Sequence, residues 1–93
     1  SISKTALSGL TREMANEFAI LGVHVNAVSP GEIETEIIQP DYEALIPSIP
    51  LNRMGTPNDV AGTIYCLCSD DASCVTGTEV WVTGGTVNIT NIL

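Results

Sequence analysis

Two short runs rich in β-branched residues, residues 23–28 (VHVNAV) and 79–83 (EVWVT), flank a stretch holding one clear helix signal. Strand, helix, strand in that order is a βαβ unit, whose two strands run parallel because the helix carries the chain back to its starting edge. This feature restricts the fold more than any other. Parallel strands need cover on both faces and neighbours along both edges. One further helix, over residues 3–21, precedes the first strand. Two helices and two strands do not supply that cover. The expected fold class is therefore α/β: the C-terminal helix–strand–loop–helix–strand part of a doubly wound parallel sheet, with residues 1–93 forming a single partial domain.

The helix over 3–21 is read from Leu7, Leu10, Met14, Phe18 and Leu21, which recur at spacings of three and four. Gly22 supplies the stop. No convincing capping segment precedes it, so the pattern looks as if it begins mid-helix. The first strand is expected to end at Ser29-Pro30-Gly31. Residues 32–56 are acidic and then punctuated by Pro40, Pro47 and Pro50, without a long periodic pattern. A loop of that length inside a compact domain usually carries function, often as a lid. Thr56-Pro57 opens the second helix, with the hydroxyl at the N-cap and proline in the first turn. Its apolar residues are Val60, Ala61, Ile64, Tyr65, Leu67 and Cys68, and it is expected to end near residues 69–71.

Composition removes several classes of function. Three Lys and Arg stand against eleven Asp and Glu, a net charge of −8. Such a field repels nucleic acid and anionic membrane surfaces, so neither is an expected partner. No apolar run approaches the ~20 residues of a membrane span. Ser1 leads straight into Lys4 and a helical pattern, so no signal peptide is expected. Cys66, Cys68 and Cys74 are odd in number and lack CxxC spacing. They suit a reducing cytoplasm and are expected as buried or half-buried thiols. His24 has no second ligand at metal spacing, and no metal site is expected.

Ser3-Lys4-x-Ala6, Asn26-Ala27-Val28-Ser29-Pro30-Gly31, Ile33-x-Thr35, Arg53-Met54-Gly55-Thr56-Pro57, Val75-Thr76-Gly77 and Gly84-Gly85 occur in this order. Each alone is weak, but in register they resemble the C-terminal part of the short-chain dehydrogenase/reductase family, from Lys4 to Gly85. The resemblance implies a Rossmann-like sheet and a nicotinamide cofactor, NAD or NADP, with the residues that select between them preceding Ser1. It implies hydride transfer between that cofactor and a small carbonyl or alcohol, in a homo-oligomeric, cytoplasmic enzyme.

Residue by residue, Lys4 matches the lysine of the family's Tyr-x-x-x-Lys pair. Its ammonium would hydrogen-bond the nicotinamide ribose and lower the pKa of the proton-donating tyrosine, whose position falls immediately before Ser1. The bland alternative is a solvated first-turn lysine. Pro30 and Gly31 lie where open α/β sheets bind ligands, and Gly31 would let backbone approach the cofactor. Ile33 would offer backbone groups to the carboxamide, and the Thr35 hydroxyl would bond the carboxamide or pyrophosphate. A plain strand-ending turn with a helix-capping threonine accounts for the same residues. Residues 36–51, with Asp41, Tyr42 and Glu43, match the substrate loop.

Other residues read as structural. Arg53 suits a partnership with a carboxylate or with carbonyls, Asn26 suits satisfying nearby backbone, and Trp81 suits core or subunit interface. Thr83-Gly84-Gly85 departs from the family's Asp-Gly-Gly and removes a carboxylate. The glycine-rich phosphate turn and the catalytic tyrosine are not among these 93 residues, so the chain alone is expected to be inactive. The alternative from another class is a non-catalytic oligomerising or interaction module of the same fold. Within the enzyme reading, 3-oxoacyl-carrier-protein reductases and sugar or polyol dehydrogenases are equally compatible.

Overall fold

The computed structural model describes residues 2–35 and 42–86, without the side chains of Lys4 and Tyr42. Asp41 and the start of the expected substrate loop, residues 36–40, lie outside the described residues. Helix α1 spans Ile2–Phe18 and tightens into a 3₁₀ turn, Ala19–Leu21. Gly22, at φ 72°, ends it. The Gly22 N–H reaches Ala19 O at 2.9 Å and the Val23 N–H reaches Phe18 O at 3.3 Å. These paired bonds satisfy carbonyls that a helix end leaves open, and they require the left-handed residue that glycine tolerates.

Strand β1 is Ala27–Pro30 and strand β2 is Glu79–Val82. They pair in parallel, as the strand–helix–strand order demands, in the register Ala27 with Glu79 through Pro30 with Val82. The first strand lies later than the expected 23–28. The cause is its partner: residues 75–78 turn through Gly77, at φ 72°, before a ladder can begin. Residues 25–26 are held by one backbone bond, from the Gly77 N–H to Val25 O at 2.8 Å, and otherwise through side chains. The Val25 N–H donates to Thr76 Oγ1 at 3.1 Å, and Asn26 Nδ2 donates to Val75 O at 3.2 Å. Asn26 Oδ1 accepts from the Thr78 N–H at 3.0 Å. Asn26 thus satisfies backbone, as its sequence position suggested. Pro30 closes the strand where a missing donor costs least, and Gly31 N–H continues the ladder to Val82 O at 2.9 Å.

Between the strands, a short helix α2, Tyr42–Leu45, runs into a 3₁₀ turn at Ile46–Ser48. Helix α3 spans Pro57–Leu67 and is followed by a 3₁₀ turn at Asp70–Ala72. Pro57 stands in its first turn behind the Thr56 cap, as read from the sequence.

The apolar residues are placed less simply than the helical pattern suggests. Helix α1 meets the sheet through small residues: Thr11 and Ala15 are buried, and a Cβ on Gly77 would lie 3.4 Å from Ala15 Cβ. Leu7, Leu10, Met14 and Leu21 are exposed. Small side chains let a helix come close to a strand, so the larger leucines are left on another face. In α3, Ile64 and Tyr65 are likewise exposed. The three cysteines, on α3 and in the turns that follow it, are exposed too, against expectation. Among the described residues, the buried apolar ones are Ala15, Ile49, Met54 and Ala72. The accessible surface of 6808 Å² compares with about 5,200 Å² for a compact monomer of this mass.

Ile49 is the most buried of these residues and packs over the turn after β2. A Cβ on Gly84, whose φ is 66°, would lie 2.7 Å from Ile49 Cγ2. Gly84→Ala therefore meets both strain and overlap and should lower stability by about 1–3 kcal/mol. Gly62, inside α3, has open space around its Cβ position. Gly62→Ala should raise stability by about 0.5–1 kcal/mol through helix propensity alone. Denaturant midpoints of the two variants moving in the same direction would contradict this packing.

Candidate functional site

The expected site residues fall at the carboxyl end of the parallel pair, where the chain leaves β1 through Pro30-Gly31 and β2 through Thr83-Gly84-Gly85. Gly31 is required there by a close approach. A Cβ would stand 3.1 Å from both Cα and Cβ of Thr83. The approach is to the neighbouring strand exit of the same chain, which the sequence alone did not suggest. Thr83, in place of the family's aspartate, also accepts from the Gly85 N–H at 3.3 Å through Oγ1.

Beyond Gly31, the chain is held by a single parallel bridge between Ile33 and Gly55. Gly55 N–H donates to Glu32 O at 2.9 Å, and Glu34 N–H donates to Gly55 O at 2.8 Å. Because these bonds use the groups of Glu32 and Glu34, Ile33's own N–H and C=O face away from Gly55. A Cβ on Gly55 would lie 2.6 Å from Ile33 Cδ1, so the end of the Ile33 side chain lies over this glycine. Thr35 follows at an exposed position.

Lys4 lies in the first turn of α1. Ala15 meets Gly77, whereas Ser8 Oγ donates to Glu79 Oε1 at 2.8 Å. Lower-numbered helix residues thus meet positions further along the strands. The helix runs antiparallel to the sheet, and its first turn points to the edge where Pro30 and Gly31 stand. Topology brings these residues to one edge although 26 positions separate Lys4 from Pro30.

Arg53 and Asp59 brace the chain where it enters α3. Arg53 Nη1 donates to Asp59 Oδ2 at 2.9 Å and to Met54 O at 3.0 Å, and Nη2 donates to Asp59 Oδ1 at 3.3 Å. Asp59 Oδ2 also accepts the Thr56 N–H at 2.8 Å and the Thr56 hydroxyl at 3.1 Å. The Asp59 N–H returns a bond to Thr56 Oγ1 at 3.2 Å, which completes a capping box. Hydrogen bonds from Arg53, then from Thr56, hold the Asp59 carboxyl well below the usual carboxylate range. The same bond and the Asp59 charge push the Arg53 guanidinium up. Arg53 is a structural partner, as expected. Asp59 was legible as Thr-x-x-Asp ahead of an apolar helix but was missed.

Glu79 was missed for a different reason, since one glutamate opening a strand gives no signal. Its two oxygens accept from Ser8 Oγ and, at 2.6 Å, from Ser29 Oγ. An open groove of about 750 Å³ between α3 and the start of β1 is lined by His24, Asn26, Val28, Ile64 and Leu67 among others. None of the expected site residues lines it. Among the described residues, no three His, Cys, Asp or Glu side chains are grouped to hold a metal ion.

Because Asp59 is depressed in the folded chain, its share of stability is full above the unfolded carboxylate pKa near 3.9. That share is lost as pH falls through the lower folded value. Thermal melts from pH 6 to 2 should therefore show a loss below about pH 4 that Asp59→Asn abolishes. Salt should shrink the effect, since Arg53 is 57% exposed. Thr56→Ala should cost about 1 kcal/mol at pH 7. An identical pH profile for wild type and Asp59→Asn would refute the brace.

A family model described as enoyl-(acyl carrier protein) reductase matches residues 1–87. Protein FixR of Bradyrhizobium diazoefficiens is 56% identical over 84 residues, which are 89% of this chain and 30% of that protein. Dehydrogenase/reductase SDR family member 4 of Sus scrofa is 42% identical over 94 residues, covering 95% of this chain and 34% of that protein. The crystal structure of a blue fluorescent protein from a metagenomic library, in complex with NADPH, superimposes with a TM-score of 0.84 at 32% identity. That match covers 92% of this chain and 36% of the other. The chain spans about a third of the length of the curated relatives it matches. With a family model matching residues 1–87, these relatives and a parallel α/β pair, the chain belongs to the short-chain dehydrogenase/reductase family.

Proposed function

We propose that these residues are the C-terminal part of an NAD(P)-dependent oxidoreductase that interconverts a small carbonyl compound and its alcohol. The observation that carries this reading is the convergence at one sheet edge of the Lys4 end of α1 with the 30–35 segment. There Ile33's backbone groups face away from the Gly55 bridge. A segment with backbone N–H and C=O directed outward, beside a glycine exit, suits a flat amide such as the nicotinamide carboxamide. The nicotinamide supplies or accepts the hydride when bound.

The chain's own residues bind and orient. Pro30, Gly31, Ile33 and Thr35 would line the carboxamide side of the cofactor. The Lys4 ammonium would hydrogen-bond the ribose and, by its charge, favour the ionised form of a neighbouring tyrosine outside these residues. Residues 36–51 match the family's substrate loop and would contribute to the substrate side. Both NAD and NADP remain compatible. The NADPH complex among the neighbours supports nicotinamide use in the family without fixing this chain's choice.

The 93 residues alone do not turn substrate over in this reading, and the protein is cytoplasmic. Leu7, Leu10 and Met14, exposed on α1, support a homo-oligomer. That same face favours the second reading, a non-catalytic oligomerising module. Cofactor binding separates the two.

Binding of NADH and NADPH, followed by fluorescence, and their oxidation with small ketones should be measured on the 93-residue chain and on the intact protein carrying it. The intact protein should bind at least one dinucleotide and oxidise it. Lys4→Met should lower kcat/KM by about 10²-fold or more, the scale of a lost contribution to proton transfer. An intact protein that binds neither dinucleotide, yet sediments as an oligomer, would replace this reading with the second.

A further inference from the structure

Glu79 is a half-buried carboxylate whose two oxygens are engaged by different elements. Oε1 accepts the Ser8 hydroxyl of α1 at 2.8 Å, and Oε2 accepts the Ser29 hydroxyl of β1 at 2.6 Å. Glu79 itself opens β2, opposite Ala27. Because side chains alternate along a strand, positions 27, 29 and 79 share the face on which α1 lies. One side chain therefore joins the helix and both strands.

The placement of the two serines gives this tie its meaning. Ser8 stands four residues after Lys4, on the same side of α1 and one turn away. Ser29 immediately precedes Pro30-Gly31. Serine inside a helix is a weaker helix former than alanine, so Ser8 is not there for helix stability. Hydrogen bonds to a charged acceptor are also the short, strong kind that holds a geometry.

We infer that Glu79 is a positioning residue: through Ser8 and Ser29 it sets the separation between the Lys4 end of α1 and the Pro30-Gly31 exit of β1. It touches no reacting atom. Its effect on cofactor binding rests on the oxidoreductase reading above, whereas the mechanical tie does not.

The test uses the intact protein carrying these residues, with Ser8→Ala, Ser29→Ala, the double variant, Glu79→Ala and Glu79→Gln. Two readouts are needed: affinity for NADH and NADPH, and amide hydrogen exchange. Each serine variant should weaken dinucleotide binding by roughly tenfold, the scale of one charge-assisted hydrogen bond. The double variant should be less than about twofold worse than either single one, since a tie cut at one end is already lost. Glu79→Ala should match the double variant. Glu79→Gln should recover most of the affinity, because an amide can accept from one serine and donate to the other.

In exchange, Ser29→Ala should speed the Arg12 amide of α1, and Ser8→Ala should speed the Gly31 amide that donates to Val82 O. Effects confined to the mutated element would overturn the tie. So would additive losses of affinity in the double variant. Wild-type protein that binds neither dinucleotide would overturn the oxidoreductase reading and the role at the cofactor edge, and the exchange data would still decide the tie.

Discussion

The short parallel ladder from Ala27–Glu79 to Pro30–Val82 is the constraint on which the rest of the structure depends. Its register decides that both strand exits emerge side by side, and therefore that a Cβ on Gly31 would stand 3.1 Å from Thr83. A slip of one residue would put Ser29 and Glu79 on opposite faces of the pair and break the bond between them. The glycines at 31, 55 and 84 sit where chain segments approach closely, a Cβ on each standing 3.1, 2.6 and 2.7 Å from the nearest atom of another segment. Tight backbone approach at the carboxyl edge, rather than a deep apolar core, organises the site.

Polar ties carry much of what burial would carry in a larger domain. Only Ala15, Ile49, Met54 and Ala72 are buried apolar residues among those described, while leucines on α1 face outward. The helices are instead fixed by directed bonds: Glu79 to two serines, and the Arg53–Asp59–Thr56 cluster at the head of α3. Such bonds set geometry well but contribute modest net free energy each.

Much of the fold was legible in the sequence for identifiable reasons. The spacing of Leu7, Leu10, Met14 and Phe18 is helical, Gly22 is a stop, and Thr56-Pro57 is a start; each acts within a few residues of its own position. The parallel sense followed from element order. The start of β1 was not legible, because it depends on where residues 75–78 stop turning, about fifty positions away. Nor was the face by which α1 packs: periodicity identifies an apolar stripe but not what that stripe meets. At the site, Lys4, Pro30, Gly31, Ile33 and Thr35 were named by motif, whereas Glu79 carried no motif.

The sequence by itself determined which elements form, their order, the parallel sense and the family, because propensities, caps and motif residues are local. Tertiary structure alone decided that Gly31 is needed against Thr83, that Ile33 is fixed by Gly55, and that Ser8 and Ser29 share one carboxylate. These are contacts between segments far apart in the chain. Their geometry is fixed by the register of the ladder and the direction of α1 across it, which no window of the sequence contains.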